Sequence, residues 1–238
     1  MRTHLILQFL ITSLISLFLA DFALAQPAQI VIARHAEKSD TFALCDMGTQ
    51  RSQALAQQYL GRGAPQSLFG ANGPDAILAI GLHPIETSTP SAQSWGLPVV
   101  AYTVLPSKNE KGRAGDIIEN RRTQQAAHDI LSDPRYAGKI VLMIWEHNHI
   151  AKAKLEQDFP GEAVTLRQLL HLDQVAGVPG TWPDATYDFF WIIDYTPGNP
   201  APTRFRMVRQ VFAPPFDGLP ANDWGAPEPG HIAAGCLK

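Results

Sequence analysis

Three separated stretches of the 238-residue chain place ionisable side chains directly after an apolar run. Arg34 and His35 follow the first run, His83 follows the second, and Glu146 and His147 follow the third. A single histidine is more often structural, but connecting segments at the ends of buried strands hold functional groups more often than packed elements do. Three histidines at corresponding positions therefore indicate one shared site.

The elements that must position these residues alternate between strand and helix. Short apolar, β-branched runs predict buried strands, and apolar residues at helical spacing predict the helices between them. The predicted strands are 29–34, 75–81, 97–102 and 139–145, the helices are 47–63, 86–96 and 116–131, and a hairpin joins 188–195 to 204–212. This order predicts an α/β fold: a mainly parallel sheet flanked by helices on both faces, with an antiparallel edge and an irregular C-terminal tail. In such sheets the ligand crevice lies outside the carboxyl ends of the strands, where the three histidines fall.

Several of these stretches resemble the histidine phosphatase superfamily, also called phosphoglycerate mutase-like proteins. The similar stretches are IVIARHAEK, the helix that carries Gly48, Arg51 and Ala54, HPIETSTPSAQSWGLPV, and VLMIWEHNHI. They span residues 28–150, and YDFFWIIDY is similar to a later strand of some bacterial members. The resemblance implies the phosphoglycerate mutase-like fold and a histidine that accepts a phosphoryl group, which is His35 in this chain.

Phosphoryl transfer explains the residue types, because its catalysis is largely positioning and charge stabilisation around an in-line nucleophile. Neutral imidazole at His35 is a suitable nucleophile and forms a phosphohistidine that water hydrolyses. Arg34 offers a planar fork of donors to the phosphate oxygens. His147 is expected to donate a hydrogen bond to the same oxygens. The expected substrate is a small phosphorylated molecule, and the chemistry requires no metal or cofactor.

The chain departs from the family pattern at the second strand end. Members commonly carry an arginine there, in a pattern like Arg-Pro-x-Gln-Thr, whereas this chain reads His83-Pro-Ile-Glu86-Thr. His83 is therefore the expected third phosphate-binding residue, although histidine supplies a positive charge only when it is protonated.

The acid that protonates the leaving group is assigned to a carboxylate close to these residues, because a general acid must reach the leaving oxygen. Glu37 lies two residues after the nucleophile, and Glu86 follows the second strand end. Glu146 adjoins His147, but within a strand the two side chains would point to opposite faces. Glu37 and Glu86 are therefore the preferred candidates, and the sequence leaves the choice between them open.

The first 25 residues have the pattern of a secretory signal peptide. Arg2 and His4 precede a long, nearly uncharged apolar stretch that ends in Ala-Leu-Ala before Gln26. A retained membrane anchor is the competing interpretation, because the stretch is long enough to span a bilayer. Cleavage predicts a periplasmic or secreted protein that has no membrane contact after processing.

The remaining chain is predicted to form a histidine phosphatase-like domain over residues 26–213, with a Pro/Gly-rich tail over 214–238 packed on it. The net charge of −3 gives no indication of nucleic-acid binding. Cys45 and Cys236 are the cysteines of the chain, and in an exported protein such a pair is most simply a disulfide. The sequence leaves the oligomeric state open.

Alternative functions remain compatible with the pattern. The replaced arginine and the unassigned acid favour a non-catalytic anion-binding or interaction protein on the same scaffold. A mutase is less expected for an exported chain, and a zinc site built from His147, His149 and Glu146 is the weakest alternative.

The substitution at His83 predicts a pH dependence of activity. Because histidine is a cation only below its pKa, phosphatase activity should fall as pH rises through the titration range of His83. The rate of p-nitrophenyl phosphate hydrolysis between pH 5 and 8 measures this, with His83→Arg as the comparison. A flat profile, or an arginine variant no more active at neutral pH, would contradict the prediction.

Overall fold

In the described residues, strands and helices alternate as far as the fourth strand. The computed structural model describes residues 26–70, 72–105, 112–226 and 235–237, so the predicted signal peptide lies outside the described residues. The strands are β1 (Gln29–Arg34), β2 (Ala76–Ile80), β3 (Val99–Tyr102), β4 (Ile140–Trp145), β5 (Phe189–Asp194) and β6 (Arg204–Arg209). The helices are α1 (Asp46–Leu55), α2 (Leu82–Trp95), α3 (Arg113–Ser132), α4 (His147–Ile150), α5 (Ala153–Asp158) and α6 (Leu166–Leu169). Within these residues, no helix combines the length and apolarity that a membrane span needs.

The six strands form one mixed sheet in the order β3-β2-β4-β1-β5-β6. Strands β1, β2, β3 and β4 pair in parallel, while β5 runs antiparallel to β1 and β6 antiparallel to β5. The predicted α/β fold with a mainly parallel sheet and an antiparallel edge is therefore confirmed, and the predicted hairpin is that edge.

Helices cover both faces of the sheet because successive residues of each buried strand point to opposite sides. Ile30 and Ile32 of β1 pack in one apolar cluster with Ala127 of α3. Val31 packs on the other side in a second cluster that includes Leu55 of α1 and Ala92 of α2. The near-continuous apolar runs of the central strands are the sequence signature of this two-sided burial.

Two glycines fix how the helices meet the strand ends. Gly81 adopts a φ of 73° between β2 and α2, a conformation that favours glycine. The helix consequently begins at Leu82, earlier than the predicted 86, and His83 lies in its first turn. Gly48 of α1 approaches the backbone of Glu37 so closely that an added Cβ would lie 2.0 Å from the carbonyl oxygen of Glu37.

A buried ion network joins the segment after β1 to α1 and to the start of β5. Arg51 is 1% exposed, and its guanidinium donates to both carboxylate oxygens of Glu37 at 2.7–2.9 Å and to Asp188 at 2.6 Å. It also donates to the carbonyl of Pro220, and Asp188 accepts from the N–H of Asn222, so the network holds part of the C-terminal tail. Burial acts to raise the pKa of Glu37, but the ion pair with Arg51 lowers it below its usual value.

Replacement of Arg51 tests how much this network contributes to the stability of the protein. Arg51→Leu leaves two buried carboxylates without their cation, so we expect the free energy of unfolding to fall by about 3–5 kcal/mol. The measurement is equilibrium denaturation in urea. Arg122→Leu, on the exposed surface of α3, is the matched control and should change stability by about 0.5 kcal/mol or less. Equal stabilities of the two variants would contradict a structural role for the network.

Candidate active site

The carboxyl ends of β1, β2 and β4 lie at one edge of the sheet and bring the three histidine segments together. Arg34 pairs in register with Trp145, and the N–H of His35 donates to the carbonyl of Trp145 at 3.1 Å. The ring centroids of His35 and His83 are 5.5 Å apart. One side-chain nitrogen or oxygen from each of His35, Glu146 and His147 lies within 4.8 Å of the others. The parallel register therefore assembles the cluster that the strand ends predict.

His35 is the most enclosed member of the cluster, with no exposed surface. Its Nδ1 lies 2.6 Å from the carbonyl oxygen of Ala36, and its Nε2 lies 3.2 Å from Oε2 of Glu146. A carbonyl oxygen only accepts hydrogen bonds, so Nδ1 carries a proton and donates it. The ring is thereby oriented with Nε2 facing Glu146.

Glu146 is the candidate acid that the sequence reasoning ranked below Glu37 and Glu86. Its backbone is extended, with φ −74° and ψ 128°, and the next residue begins α4. The strand ends at Trp145, so Glu146 and His147 are not consecutive strand residues with side chains on opposite faces. Instead, Oε2 of Glu146 lies 3.9 Å from Nδ1 of His147. The end of the apolar run at Trp145 was the signal that could have identified Glu146.

The electrostatics of Glu146 depend on its neighbours. Burial acts to raise the pKa of this carboxyl, but the attraction of His35 and the hydrogen bond to it, with Lys38 and His147 adding to them, hold the pKa well below its usual range. Two lone pairs would repel at 3.2 Å, so the contact between Glu146 and His35 Nε2 needs a proton between them. The pair therefore stores one proton in the free protein.

His147 is held in a neutral form. Burial is the main cause that lowers its pKa to about 3, and the positive charge of Arg34 lowers it further. Its Nε2 lies 3.0 Å from Oδ1 of Asp184, a carboxylate that also accepts from Lys152. Nε2 therefore carries the proton and donates it to Asp184. Nδ1 of the neutral ring is therefore an acceptor, so the expected donation from His147 to phosphate requires protonation of the ring.

Arg34 is turned toward backbone carbonyls and an aromatic ring. Its Nη1 donates to the carbonyls of Asp184 and Thr186, the second at 3.2 Å, and its Cζ lies 3.8 Å from the ring centroid of Tyr187. Burial lowers the pKa of Arg34 from its usual value, but nearby Tyr187 and Glu146 oppose that shift. The guanidinium is therefore a fixed positive charge beside His147, and Nη1 is already engaged.

His83 and Glu146 line a pocket of about 250 Å³. Lys38, Glu119 and Leu237 also line it, so both charge signs reach the pocket. Nε2 of His83 donates to the carbonyl of Asp40 at 2.9 Å. Burial lowers the pKa of His83 and the adjacent His35 lowers it further, which moves the predicted titration to lower pH than for a free histidine. Because Glu146 lines the pocket and His35 is buried behind it, the carboxylate covers Nε2.

The two carboxylates preferred from the sequence have other partners. Both oxygens of Glu37 are bound by Arg51. Oε2 of Glu86 accepts from the N–H of Leu44 at 2.8 Å, and Glu86 lines a separate groove with Ser52. Neither arrangement brings these carboxylates into the cluster of His35, Glu146 and His147. Of the three carboxylates considered from the sequence, Glu146 is the one that lies within hydrogen-bond distance of the His35 ring.

The C-terminal tail reaches the same pocket. Cys45 and Cys236 form a disulfide with a Cα–Cα distance of 5.2 Å, and the N–H of the next residue, Leu237, donates to the carbonyl of Lys38 at 2.7 Å. Leu237 lines the pocket as a result. The disulfide therefore holds Leu237 at the rim of the site.

His149 does not join His147 in the weak zinc arrangement considered from the sequence. Its Nε2 lies 2.9 Å from Oδ1 of Asn120, and its Nδ1 lies 3.0 Å from Oε2 of Glu119. Both ring nitrogens of this buried side chain thus face α3. His149 packs α4 against that helix instead.

Comparison with known proteins gives structural neighbours only. No family model and no curated protein matches the chain. Similar solved structures include a mycobacterial glucosyl-3-phosphoglycerate phosphatase, with 13% identity over 77% of this chain and 98% of that one and a TM-score of 0.42. Mycobacterial hydrolase 1 has 15% identity over 78% and 100% of the two chains and a TM-score of 0.43. A protein described as the phosphohistidine phosphatase SixA of Agrobacterium tumefaciens has 14% identity over 76% and 97%, with a TM-score of 0.35. At identities and scores this low, the likeness carries no functional weight.

The neutral state of His147 predicts a loss of stability in mild acid. The unfolded chain takes up a proton at this residue below about pH 6.5, whereas the folded protein does so only near pH 3. The free energy of unfolding should therefore fall as pH falls from 6.5 to 4.5, and His147→Asn should reduce that fall by about 2 kcal/mol. Urea denaturation at several pH values measures it. Parallel curves for the two proteins would contradict the assignment.

Proposed function

We propose that this protein hydrolyses small phosphomonoesters through a phosphohistidine intermediate at His35. The orientation of the His35 ring is the observation that supports the proposal most. The hydrogen bond from Nδ1 to the carbonyl of Ala36 leaves Nε2 as the nitrogen directed at Glu146, which itself lines the pocket. Nε2 can act as a nucleophile once its contact with Glu146 is broken.

The first chemical step uses the proton that His35 and Glu146 share. An incoming phosphoryl group displaces the carboxylate from Nε2, and the proton leaves with Glu146. The negative charge of the phosphate and the loss of contact with His35 both raise the pKa of Glu146, which makes it a competent acid. Nε2 then forms a bond to phosphorus as the bond to the leaving oxygen breaks, and Glu146 protonates that oxygen.

The second step regenerates the free protein. The Glu146 carboxylate takes a proton from a water molecule that attacks phosphorus, and the bond between phosphorus and Nε2 breaks. Inorganic phosphate leaves, and the proton on Glu146 is again shared with His35. The same carboxylate thus acts first as acid and then as base.

The negative charge on the phosphoryl oxygens is stabilised by Arg34, which is always a cation. His83 and His147 add to this stabilisation when they are protonated. A bound phosphate favours protonation of the two histidines, because opposite charge raises a histidine pKa. Protonation of His147 turns its Nδ1 into a donor to phosphate. Because both pKa values are lowered in the free protein, this assistance is strongest in acid. The direction agrees with the pH dependence expected from the His83 substitution.

The pocket volume of about 250 Å³ favours a small substrate. The disulfide between Cys45 and Cys236, together with the signal-peptide pattern, supports a site of action in the periplasm or outside the cell.

A non-catalytic anion-binding role is the second candidate function. Glu146 covers Nε2 of His35, and Nη1 of Arg34 is engaged by backbone carbonyls, so the cluster is less open to phosphate than a preformed phosphate site. In this alternative, phosphate or another anion binds beside His83 and Lys38 without reaching Nε2.

Turnover with two leaving groups separates the candidates and tests Glu146. We expect the protein to hydrolyse p-nitrophenyl phosphate and His35→Ala to abolish this. Glu146→Gln should lower kcat on an alkyl phosphate such as glycerol phosphate by about 100-fold or more, because an alkoxide needs a proton as it leaves. The loss on p-nitrophenyl phosphate should be much smaller, since nitrophenolate leaves without that help.

The matched control is Glu86→Gln, which changes a carboxylate outside the cluster and should leave the ratio of the two rates unchanged. Equal losses on both substrates in Glu146→Gln would contradict the assignment of Glu146 as the acid. Binding of phosphate without turnover of either substrate would favour the anion-binding role.

A further inference from the structure

The cluster of His35, Glu146 and His147 has a second chemical property that phosphoryl transfer does not require. Two imidazole nitrogens and one carboxylate oxygen converge within 4.8 Å of one another. Two neutral histidines and one glutamate form a ligand set that zinc uses in catalytic sites, where a fourth position stays open.

In each of the two histidine rings, the nitrogen directed away from Glu146 already donates a hydrogen bond, as it does in metal-ligating histidines. Nδ1 of His35 donates to the carbonyl of Ala36 at 2.6 Å, and Nε2 of His147 donates to Asp184 at 3.0 Å. Such bonds fix the ring orientation and the tautomer, and they raise the basicity of the opposite nitrogen. Both opposite nitrogens, Nε2 of His35 and Nδ1 of His147, lie near Oε2 of Glu146.

Nδ1 of His147 is a second observation that indicates a metal ion at this site. His147 is 9% exposed, and its Nδ1 is buried without a hydrogen-bond partner. An unpaired buried acceptor costs free energy. Because this nitrogen faces the carboxylate of Glu146 at 3.9 Å, a hydrogen bond between them would need a proton that the neutral ring lacks at Nδ1. A cation between the two groups would satisfy both.

Two of the three distances between the ligand atoms are close to those of a tetrahedral zinc site, and the third is within 4.8 Å. Zinc-to-ligand distances of about 2.0–2.1 Å put neighbouring ligand atoms about 3.3 Å apart. His35 Nε2 and Glu146 Oε2 are 3.2 Å apart, and Glu146 Oε2 and His147 Nδ1 are 3.9 Å apart. Small rotations of the side chains would therefore complete the geometry.

We propose that His35, Glu146 and His147 bind one Zn²⁺ ion, through Nε2, the carboxylate and Nδ1 respectively. Binding releases the proton that His35 and Glu146 share and leaves one zinc position open toward the pocket. Because the lone pair of Nε2 cannot bind zinc and attack phosphorus at once, the ion acts as a reversible inhibitor of the proposed phosphatase.

The charges around the site set how tightly the ion binds. Glu146 and Asp184 attract the cation, while Arg34 and Lys38 repel it. The net attraction for Zn²⁺ is smaller than in a site without cations nearby. We therefore expect the ion to bind reversibly and not to be a permanent part of the structure. A chelator should remove it without unfolding the protein.

Cobalt is the probe for the test, since Co²⁺ bound in place of zinc absorbs visible light strongly in a four-coordinate site. The full chain, treated with EDTA and dialysed, is titrated with Co²⁺ and then with Zn²⁺. We expect saturation at one ion per chain and displacement of Co²⁺ by Zn²⁺. Glu146→Gln and His147→Asn should each weaken binding by about 100-fold or more, because even partners outside the ligand set change metal affinity by about 10–100-fold.

The matched control is His128→Asn, which removes an exposed histidine of α3 and should leave the titration unchanged. Binding that persists in both cluster variants, or no saturable binding by the unmodified chain, would overturn the proposal. A Zn²⁺ soak of wild-type crystals guards against misfolded variants: an anomalous peak between the three side chains supports the site, and peaks elsewhere alone overturn it.

The zinc proposal goes beyond the phosphatase proposal, and the two can fail separately. The Co²⁺ titration needs no turnover, so it decides the metal site even if no phosphomonoester is hydrolysed. If turnover exists, Zn²⁺ should inhibit it over the same concentration range in which it displaces Co²⁺, and EDTA should restore it. Undiminished turnover at saturating Zn²⁺ would overturn the inhibitory role.

Discussion

The contact between Nε2 of His35 and Oε2 of Glu146 is the constraint around which the site is built. At 3.2 Å the two atoms need something electron-poor between them, because each presents a lone pair. In the proposals above, a proton fills that place in the free protein, a zinc ion replaces it when bound, and an incoming phosphoryl group separates the two atoms. This pair of side chains therefore supplies the proposed nucleophile and the proposed acid, and the proposed zinc site adds His147 to it.

Tertiary structure holds this pair from both sides. The parallel register of β1 with β4 sets His35 beside the end of Trp145, and the turn into α4 then brings Glu146 and His147 onto the same side. The segment after His35 is fixed in turn by the network of Arg51 with Glu37 and by the close approach of α1 at Gly48. Packing of α1 thus supports the segment that follows His35, while the contacts with Ala36 and Glu146 orient its ring.

Protonation decides which ligand the site prefers. Burial keeps His83 and His147 neutral in the free protein, and a neutral ring has one donor nitrogen and one acceptor nitrogen. The protonated nitrogen of His83 donates to the carbonyl of Asp40, and that of His147 donates to the carboxylate of Asp184. These two rings become donors to phosphate only when they are protonated, whereas a metal ion can use Nδ1 of neutral His147 once the proton shared by His35 and Glu146 has left. Neutral histidines therefore favour a cation at this site, and an anion binds well only after they are protonated.

The fold class follows from the amino-acid sequence, because the period and apolarity of the strands indicate burial on two faces. The sequence also predicts that Arg34, His35, His83 and His147 fall at strand ends, which a parallel sheet gathers at one edge. Which carboxylate joins them depends on the tertiary structure. Glu37 is closest to His35 along the chain, yet its oxygens face Arg51, while Glu146, 111 residues from His35, contacts its ring. The reason is that side-chain direction at the end of a strand follows the backbone turn that begins there, and the alternation of side chains along the strand does not describe that turn.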